Sequence, residues 1–350
     1  VVVIITRRGF LKSLGAALLS TPAWGGLLRG QELPRLMLSL PPMIESFPIA
    51  FAYDRGVFAE HGISVELVGI ADRRDRNVAL FTGTVDGALT DITSVLLLIA
   101  ADAPIKITST AYQVIDESRR YALMTHNFSY ITDLETLLAR LDGNPNRSIG
   151  LLRKTDMEFE TDRLIKSQGV EVDESTYYTD FKDLVLLATL LGQGSILAAV
   201  LPEPISSYLE YITEAEGAPV VSLADFKDQE LVPSVWIFQD SLIDEDPERI
   251  ERFYEGYRQV LSELEEMPRE EIVEVGVDSA LQFFFPGITR EELPPGAEEF
   301  LQEYLIPAFP QPRALEPEEY QQVADWALKK GYLSATIPFE LATTDRFHEP

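Results

Sequence analysis

Between residues 36 and 201 short apolar strands alternate with helix-length segments. This alternation restricts the chain to an α/β fold, a mostly parallel sheet flanked by helices. The stretch 81–96, FTGTVDGALTDITSVL, shows the repeating unit most clearly. Residues 85–89 make a short strand, Thr90 to Ser94 a polar corner, and Val95 onward an apolar helix. Such a corner brings a strand's carboxyl end and a helix's free N–H groups into one crevice, where open α/β sheets hold ligands. It equally suits plain helix capping, which Asp91 or Thr93 would supply.

Residues 36–40 read as a buried first strand stopped by Pro41 and Pro42. Ser46 is placed to cap a helix over 48–58, strands follow at 63–68 and 105–114, and 72–81 is a polar-faced helix. A second run of units starts near Arg120, with strands at 121–124, 148–152 and 176–179, a turn at 142–146 and a helix over 180–191. Thr132 with Glu135, and Thr155 with Glu158, have capping-box spacing. The segment 194–204, GSILAAVLPEP, then repeats the order of 83–93: helix end, Gly, short strand, polar corner. The chain thus reads as two lobes of like construction, with Asp91 and Thr93 expected to face Glu203 across a gap. Further strands lie at 220–223 and 232–238. From Pro247 the chain is acidic and helical, with apolar residues at helical spacing over 248–266, 269–284, 290–306 and 317–330.

The 350 residues suffice for two domains of ordinary size. With 57 acidic and 29 basic residues the net charge is −28, which argues against nucleic acid or an anionic membrane as a partner. The chain has no Cys and three widely spaced His. Disulfides, thiolate metal sites and a cysteine nucleophile are excluded, and neither a metal centre nor a cofactor is expected. At the N-terminus, Arg7 and Arg8 followed by Phe10, Leu11 and Lys12 resemble the twin-arginine export motif. A weakly apolar run too short to span a bilayer follows, then Thr21-Pro22-Ala23 as a small-residue cleavage site. Residues 1–33 are therefore expected to direct export by the twin-arginine translocation machinery, which would put the protein in a periplasm.

Pro48, Ala52, Gly56, Phe58, Gly62, Ile63 and Val65 have the spacing of an opening motif in solute-binding proteins of ABC importers, and Gly83-Thr84-Val85-Asp86-Gly87-Ala88 matches that family's following strand. The resemblance is to the branch that binds thiamine pyrimidine precursors, nitrate, taurine and alkanesulfonates. It implies a type II periplasmic binding protein: lobe 1 from 34–118 plus 219–350, lobe 2 from 119–218, and a two-segment hinge near 112–120 and 217–232. It also implies a monomer that presents a small-molecule ligand to permease subunits. The ligand would touch strand-end corners of both lobes, here Ser46, Phe47, Asp91, Thr93, Ser94, Lys154, Thr155, Asp156, Glu203, Ser234 and Trp236. Three carboxylates in that set favour a neutral or cationic nitrogen heterocycle or vitamin precursor, such as a pyrimidine or a flavin-like ring. Arg153 and Lys154 keep a small anion as the alternative. An enzyme of the same fold, pyrimidine-synthase-like or of the menaquinone pathway, is the rival class. The synthase relatives depend on a cysteine-rich motif that this chain lacks.

Overall fold

The computed structural model describes residues 33–70, 73–127, 130–141, 148–169, 177–226, 230–274, 276, 290 and 296–348. Residues 1–32 of the expected export segment 1–33, the expected turn at 142–146, most of the expected helix at 269–284 and residues 291–295 of the one expected at 290–306 lie outside the described residues.

Among the described residues ten strands form two five-stranded sheets. The first contains β1 (Arg35–Leu40), β2 (Ser64–Gly69), β3 (Gly87–Thr90), β4 (Ile105–Tyr112) and β10 (Ser234–Gln239), in the order β2-β1-β3-β10-β4. The second contains β5 (Tyr121–His126), β6 (Ile149–Leu151), β7 (Tyr178–Asp180), β8 (Ala198–Pro202) and β9 (Val220–Ala224), in the order β7-β6-β8-β5-β9. The two orders are the same pattern. In each sheet the βα strands run parallel, and one antiparallel strand is inserted beside the third. The inserted strand, β5 or β10, is the one by which the chain enters from the other sheet. Gly83 and Gly194 turn the chain into β3 and β8 at φ 67° and 66°, the left-handed geometry that ends helices at glycine. The internal repeat seen in 83–89 and 194–200 therefore marks equivalent positions in two sheets.

Both faces of each sheet are covered, so β5 and β10 are buried along their whole length and read as near-continuous apolar runs. Helices Phe47–Asp54 and Pro247–Glu266 pack on one face of the first sheet through Phe51, Phe253, Tyr254 and Tyr257. Helices Ile92–Ala100 and Pro317–Lys329 cover the other through Val95, Leu96, Tyr320 and Val323. Helices Leu134–Leu141 and Asp156–Ser167 flank the second sheet with Leu137, Leu141 and Ile165. Helices Leu184–Gly192 and Ile205–Ala215 close its other face with Leu187, Leu191 and Leu209. The outer edge of β4 is covered by two later segments: Thr110 N–H donates to the Arg313 carbonyl at 2.8 Å and Thr344 N–H to the Ile107 carbonyl at 2.9 Å.

Several expectations shift. The helix expected over 48–58 is two helices, Phe47–Asp54 and Val57–Glu60, broken at Gly56 with φ 70°. The strand expected at 85–89 is regular only from Gly87; Asp86 before it still bonds both neighbouring strands, its N–H donating to the Met37 carbonyl at 2.8 Å, its carbonyl accepting from Gln239 N–H at 3.0 Å and its carboxylate accepting from Met37 N–H at 2.7 Å. A Cβ on Gly87 would lie 2.5 Å from the Phe238 ring, so only glycine fits there. The chain crosses between sheets at 113–120 and 225–233. β9 pairs with β5 and belongs to the second sheet. The boundary expected at 218/219 and the crossing expected from 217 thus move past Ala224.

Candidate functional site

Two helix N-termini, one from each lobe, meet at the centre of the cleft. Helix Ile92–Ala100 begins where β3 ends, and helix Asp156–Ser167 begins where β6 ends. Asp91 caps its own helix, accepting from Ser94 N–H at 2.8 Å and Ser94 Oγ at 2.7 Å. It also accepts from Asp156 N–H, on the facing lobe, at 3.3 Å. Asp156 reaches back. Its carboxylate accepts from Ile92 N–H (3.1 Å), Thr93 N–H (3.0 Å) and Thr93 Oγ1 (2.6 Å). The first three N–H groups of helix Ile92–Ala100, which a helix start ordinarily offers to an anion, are thus all taken by protein carboxylates. Burial and the nearby Asp91 charge hold the Asp156 carboxyl well above the usual carboxylate range.

Beside this junction lies a void of about 40 Å³, lined by Glu45, Asp91, Arg120, Tyr121 and Thr155, with Arg73 and Arg76 and the apolar Met43, Leu152 and Met157. That space holds water-sized groups, whereas ligand pockets typically measure about 300–1,000 Å³. The lobes are closed on one another. Glu45 and Arg120 form an ion pair of 2.9 Å with both side chains buried. Arg120 also donates to the Val232 carbonyl at 2.9 Å, so one guanidinium ties the first lobe to both crossing segments. Burial works against its charge, but Tyr121, Glu45 and Asp156 outweigh that and hold it protonated. Burial drives the Tyr121 phenol far above its usual range. The second crossing is fixed further by Glu160, which accepts from Val232 N–H at 2.9 Å, and whose carboxyl burial pushes up to about 7.

A second junction closes the cleft on the side of the C-terminal helix. Lys330 of the first lobe is buried between Asp162 (2.8 Å) and Glu158 (3.4 Å) of the second. Its ammonium lies 5.5 Å from the Tyr178 ring and 5.6 Å from that of Trp326. Trp326 Nε1 donates to Asp162 at 2.7 Å and Tyr332 Oη to Glu158 at 2.8 Å, both across the lobes. Glu158 also accepts from Lys154 N–H at 2.6 Å. The capping box expected from Thr155 and Glu158 is therefore not formed. Thr155 Oγ1 donates instead to the Leu152 carbonyl at 2.7 Å, and Glu158 serves the clasp.

The structure brings Asp91, Thr93, Ser94, Thr155 and Asp156 together and separates the rest of the expected set. Trp236 is fully buried in the first lobe, edge-on to Phe253 at 5.0 Å and Tyr257 at 5.7 Å. It is core, because its position in β10 points into a sheet face already covered by helix Pro247–Glu266. Ser234 is buried beside the Tyr112 carbonyl. Ser46 does not cap a helix; its Oγ donates to the Pro41 carbonyl at 2.6 Å. Phe47 packs on Phe51 and Phe309. Lys154 is exposed outside the void. Glu203 does not face Asp91 or Thr93. Its carboxylate pairs with Arg119 of the first crossing segment and accepts from Ser206 Oγ at 2.5 Å and Ser207 Oγ at 3.0 Å. Its backbone carbonyl bridges the lobes, accepting from Ile44 N–H at 3.2 Å. Glu45, Arg120, Tyr121, Arg73 and Arg76 were not anticipated. The sequence signal for the first three is a charged pair, Arg119-Arg120, set directly against an apolar strand, with a lone Glu beside the Pro41-Pro42 corner.

No curated protein matches the sequence. Solved structures match its fold at low identity. The ligand-binding component of an ABC-type import system from Staphylococcus aureus, with zinc bound, has a TM-score of 0.68 at 14% identity, covering 90% of this chain and 98% of that one. The periplasmic aliphatic sulphonate-binding protein SsuA from Escherichia coli has a TM-score of 0.67 at 13% identity over 89% and 97%. The periplasmic nitrate-binding protein NrtA from Synechocystis PCC 6803 has 0.66 at 13% over 90% and 87%. Among the described residues no group of His, Asp and Glu side chains has a geometry that would hold a metal ion. The family profile described as NMT1/THI5 like matches residues 44–271, more than half of the sequence. The chain is a member of the NMT1/THI5-like family, carried on the two-lobed type II periplasmic binding protein fold.

Proposed function

We propose that this protein is the extracytoplasmic solute-binding component of an ABC importer, and that its ligand is a small neutral or cationic nitrogen compound, a heterocycle or vitamin precursor. The protein would be exported by the twin-arginine route, act as a monomer in the periplasm and hand its ligand to permease subunits. The observation that carries the ligand class is the reciprocal capping of the two helix N-termini by Asp91 and Asp156. The helix N–H donors that would hold a sulfonate or nitrate are already satisfied, and Glu45 lines the void beside Asp91. Carboxylates call for N–H donors on the ligand. A ring-sized ligand would need the lobes to part and close again around it. The second reading is a small anion. Arg73 and Arg76 at the void favour it, as do the sulphonate and nitrate binders among proteins of this fold. An enzymatic role has less support, since the chain has no Cys to act as a nucleophile.

The test is a thermal-shift screen of the purified protein against pyrimidines, thiamine-related compounds, flavins, sulfonates and nitrate, since a ligand of the folded state raises Tm with concentration. A hit is then titrated against Asp91→Asn with Asp156→Asn. A cationic or N–H-donating ligand should bind at least about tenfold more weakly to the double variant, roughly 1.4 kcal/mol for loss of the Asp91 charge. An anion should bind more tightly, and that result would replace the favoured ligand class. Turnover of the bound compound would overturn the transport reading.

A further inference from the structure

The clasp at Lys330 has the construction of a ligand site. Its walls come from three elements. Asp162 and Glu158 lie on helix Asp156–Ser167, Tyr178 begins β7, and Trp326 lies four residues before Lys330 on helix Pro317–Lys329. Neutral donors orient both oxygens of Asp162: Tyr178 Oη donates to Oδ1 at 2.6 Å and Trp326 Nε1 to Oδ2 at 2.7 Å. Tyr332 Oη donates to Glu158 at 2.8 Å, and Arg153 pairs with it at 3.3 Å. The Trp326 ring is itself fixed by near-perpendicular contacts with Phe159 at 5.4 Å and Tyr332 at 5.6 Å. Carboxylates and aromatic rings locked by their own neighbours are the parts of a preorganised cation site.

The structure also shows what fills the box. The Lys330 ammonium stands 2.8 Å from Asp162 and 3.4 Å from Glu158, with the Tyr178 and Trp326 ring centroids at 5.5 and 5.6 Å. Carboxylates take its N–H donors and ring faces take its remaining charge. Asp162, Glu158 and Tyr178 belong to the second lobe, whereas Lys330 and Trp326 belong to the first. The lysine therefore approaches most of its site from outside the lobe that carries it, as a ligand does.

We infer that this box is a binding site for a primary alkylammonium group, and that Lys330 is its tethered occupant. Closure of the lobes on this side is then the binding of a lysine side chain. A free alkylammonium, or a solute that carries one, takes the second-lobe half of the box when the lobes part, and excludes the lysine. The inference rests on the clasp and holds whatever the void beside Asp91 binds.

The test uses the full-length protein with spin labels on Gln322→Cys and Lys166→Cys, exposed positions on the two helices that carry the box. The probe is n-propylammonium chloride at about 0.3 M, above the millimolar effective concentrations typical of tethered groups. In the protein with Lys330 intact, the probe should lengthen the inter-lobe distance beyond the effect of sodium chloride at equal ionic strength. Lys330→Ala removes the three carbons and the ammonium that propylammonium supplies. In that variant the same salt should shorten the distance and raise Tm by roughly 2 °C or more. One ion acting in opposite directions on two proteins separates binding from screening, which weakens ion pairs in both. Adding Asp162→Asn to Lys330→Ala should weaken the response about tenfold, as for loss of a charge-assisted contact. The inference is overturned if propylammonium does not shorten the distance in Lys330→Ala, if n-propanol shortens it equally, or if Asp162→Asn leaves the response unchanged. It is equally overturned if the protein with Lys330 intact responds to propylammonium as it does to sodium chloride. That arm leaves the box unaltered, so it decides the question should Lys330→Ala fail to fold.

Discussion

Replacing Lys330 with Met should open the lobes. The side chain is 6% exposed and its partner Glu158 fully buried, with Asp162 at 10%. Met keeps the length and the apolar stem but removes the charge, leaving two carboxylates buried near each other. Removing one member of a buried ion pair typically costs about 3–5 kcal/mol. The lower end applies here, because Asp162 keeps the donors Tyr178 Oη at 2.6 Å and Trp326 Nε1 at 2.7 Å. Glu158 likewise keeps Tyr332 Oη and Lys154 N–H. All of this loss falls on the closed state, since Lys330 and its two carboxylates belong to different lobes and are separately solvated when the lobes part. A penalty of about 3 kcal/mol lowers the closed-to-open ratio about a hundredfold. The absence of Cys makes the assay direct. Spin labels on Gln322→Cys and Lys166→Cys, exposed sites on the two helices that flank the clasp, report the inter-lobe distance by pulsed electron resonance. Lys330→Met should shift the distribution to longer distances. Adding Asp162→Asn should bring it partly back, because it removes one of the two orphaned carboxylates and leaves Glu158, which Arg153 still pairs at 3.3 Å. An unchanged distribution in the single variant, or wider opening in the double one, would refute the clasp.

Glu160 gives a pH prediction. Its folded-state pKa of about 7 lies above the usual 4.5, through burial. Between those values the folded protein keeps a proton that the unfolded chain has released, so its contribution is fully present below pH 4.5 and lost as pH rises through 7. Glu160→Gln carries no such proton. Urea denaturation should show the variant gaining on wild type from pH 5 to pH 8 by roughly 3 kcal/mol at most, and parallel profiles would contradict the assignment. Trp236→Ala should cost about 3–5 kcal/mol of stability, as for a large core aromatic, while leaving the ligand preference of the thermal-shift panel unchanged. A changed preference would return Trp236 to the cleft.

The lobes were legible because their strands are buried on both faces and their helices end at glycines. Both properties depend on near neighbours in sequence: the run Tyr121–His126 is apolar or neutral throughout but for its last residue, and Gly83 and Gly194 follow their helices directly. Asp91 was legible for the same reason, since an N-cap is a local device. What escaped were side chains whose partners lie far away in the chain. Glu45 finds Arg120 seventy-five residues on, and Lys330 finds Glu158 at a separation of 172. No periodicity announces such pairs. Trp236 failed in the opposite direction: an aromatic beside a serine at a strand start looks like a ring platform, yet strand alternation turned it into the core. Glu203 failed because its neighbour Arg119, at the crossing, took its carboxylate.

The misplacement of Glu203 follows from symmetry. The repeat in sequence relates β3 to β8 and β1 to β6, since these hold equivalent places in sheets ordered β2-β1-β3-β10-β4 and β7-β6-β8-β5-β9. The sequence reading set like against like, the corner after β3 against the corner after β8. Two similar lobes that face each other across an approximate twofold pair unlike corners instead, because the rotation that superposes the lobes also reverses their order across the gap. The contacts obey this rule. The corner after β3 meets the corner after β6 through Asp91 and Asp156, and the corner after β1 meets the corner after β8 through Ile44 N–H and the Glu203 carbonyl. These are the same contact seen from the two lobes. One is made by carboxylates on helix N-termini and the other by backbone alone beside the hinge. A cleft built this way concentrates its side-chain chemistry at the β3–β6 junction and leaves the β1–β8 junction to fix the closing axis, and that is where Glu203 sits.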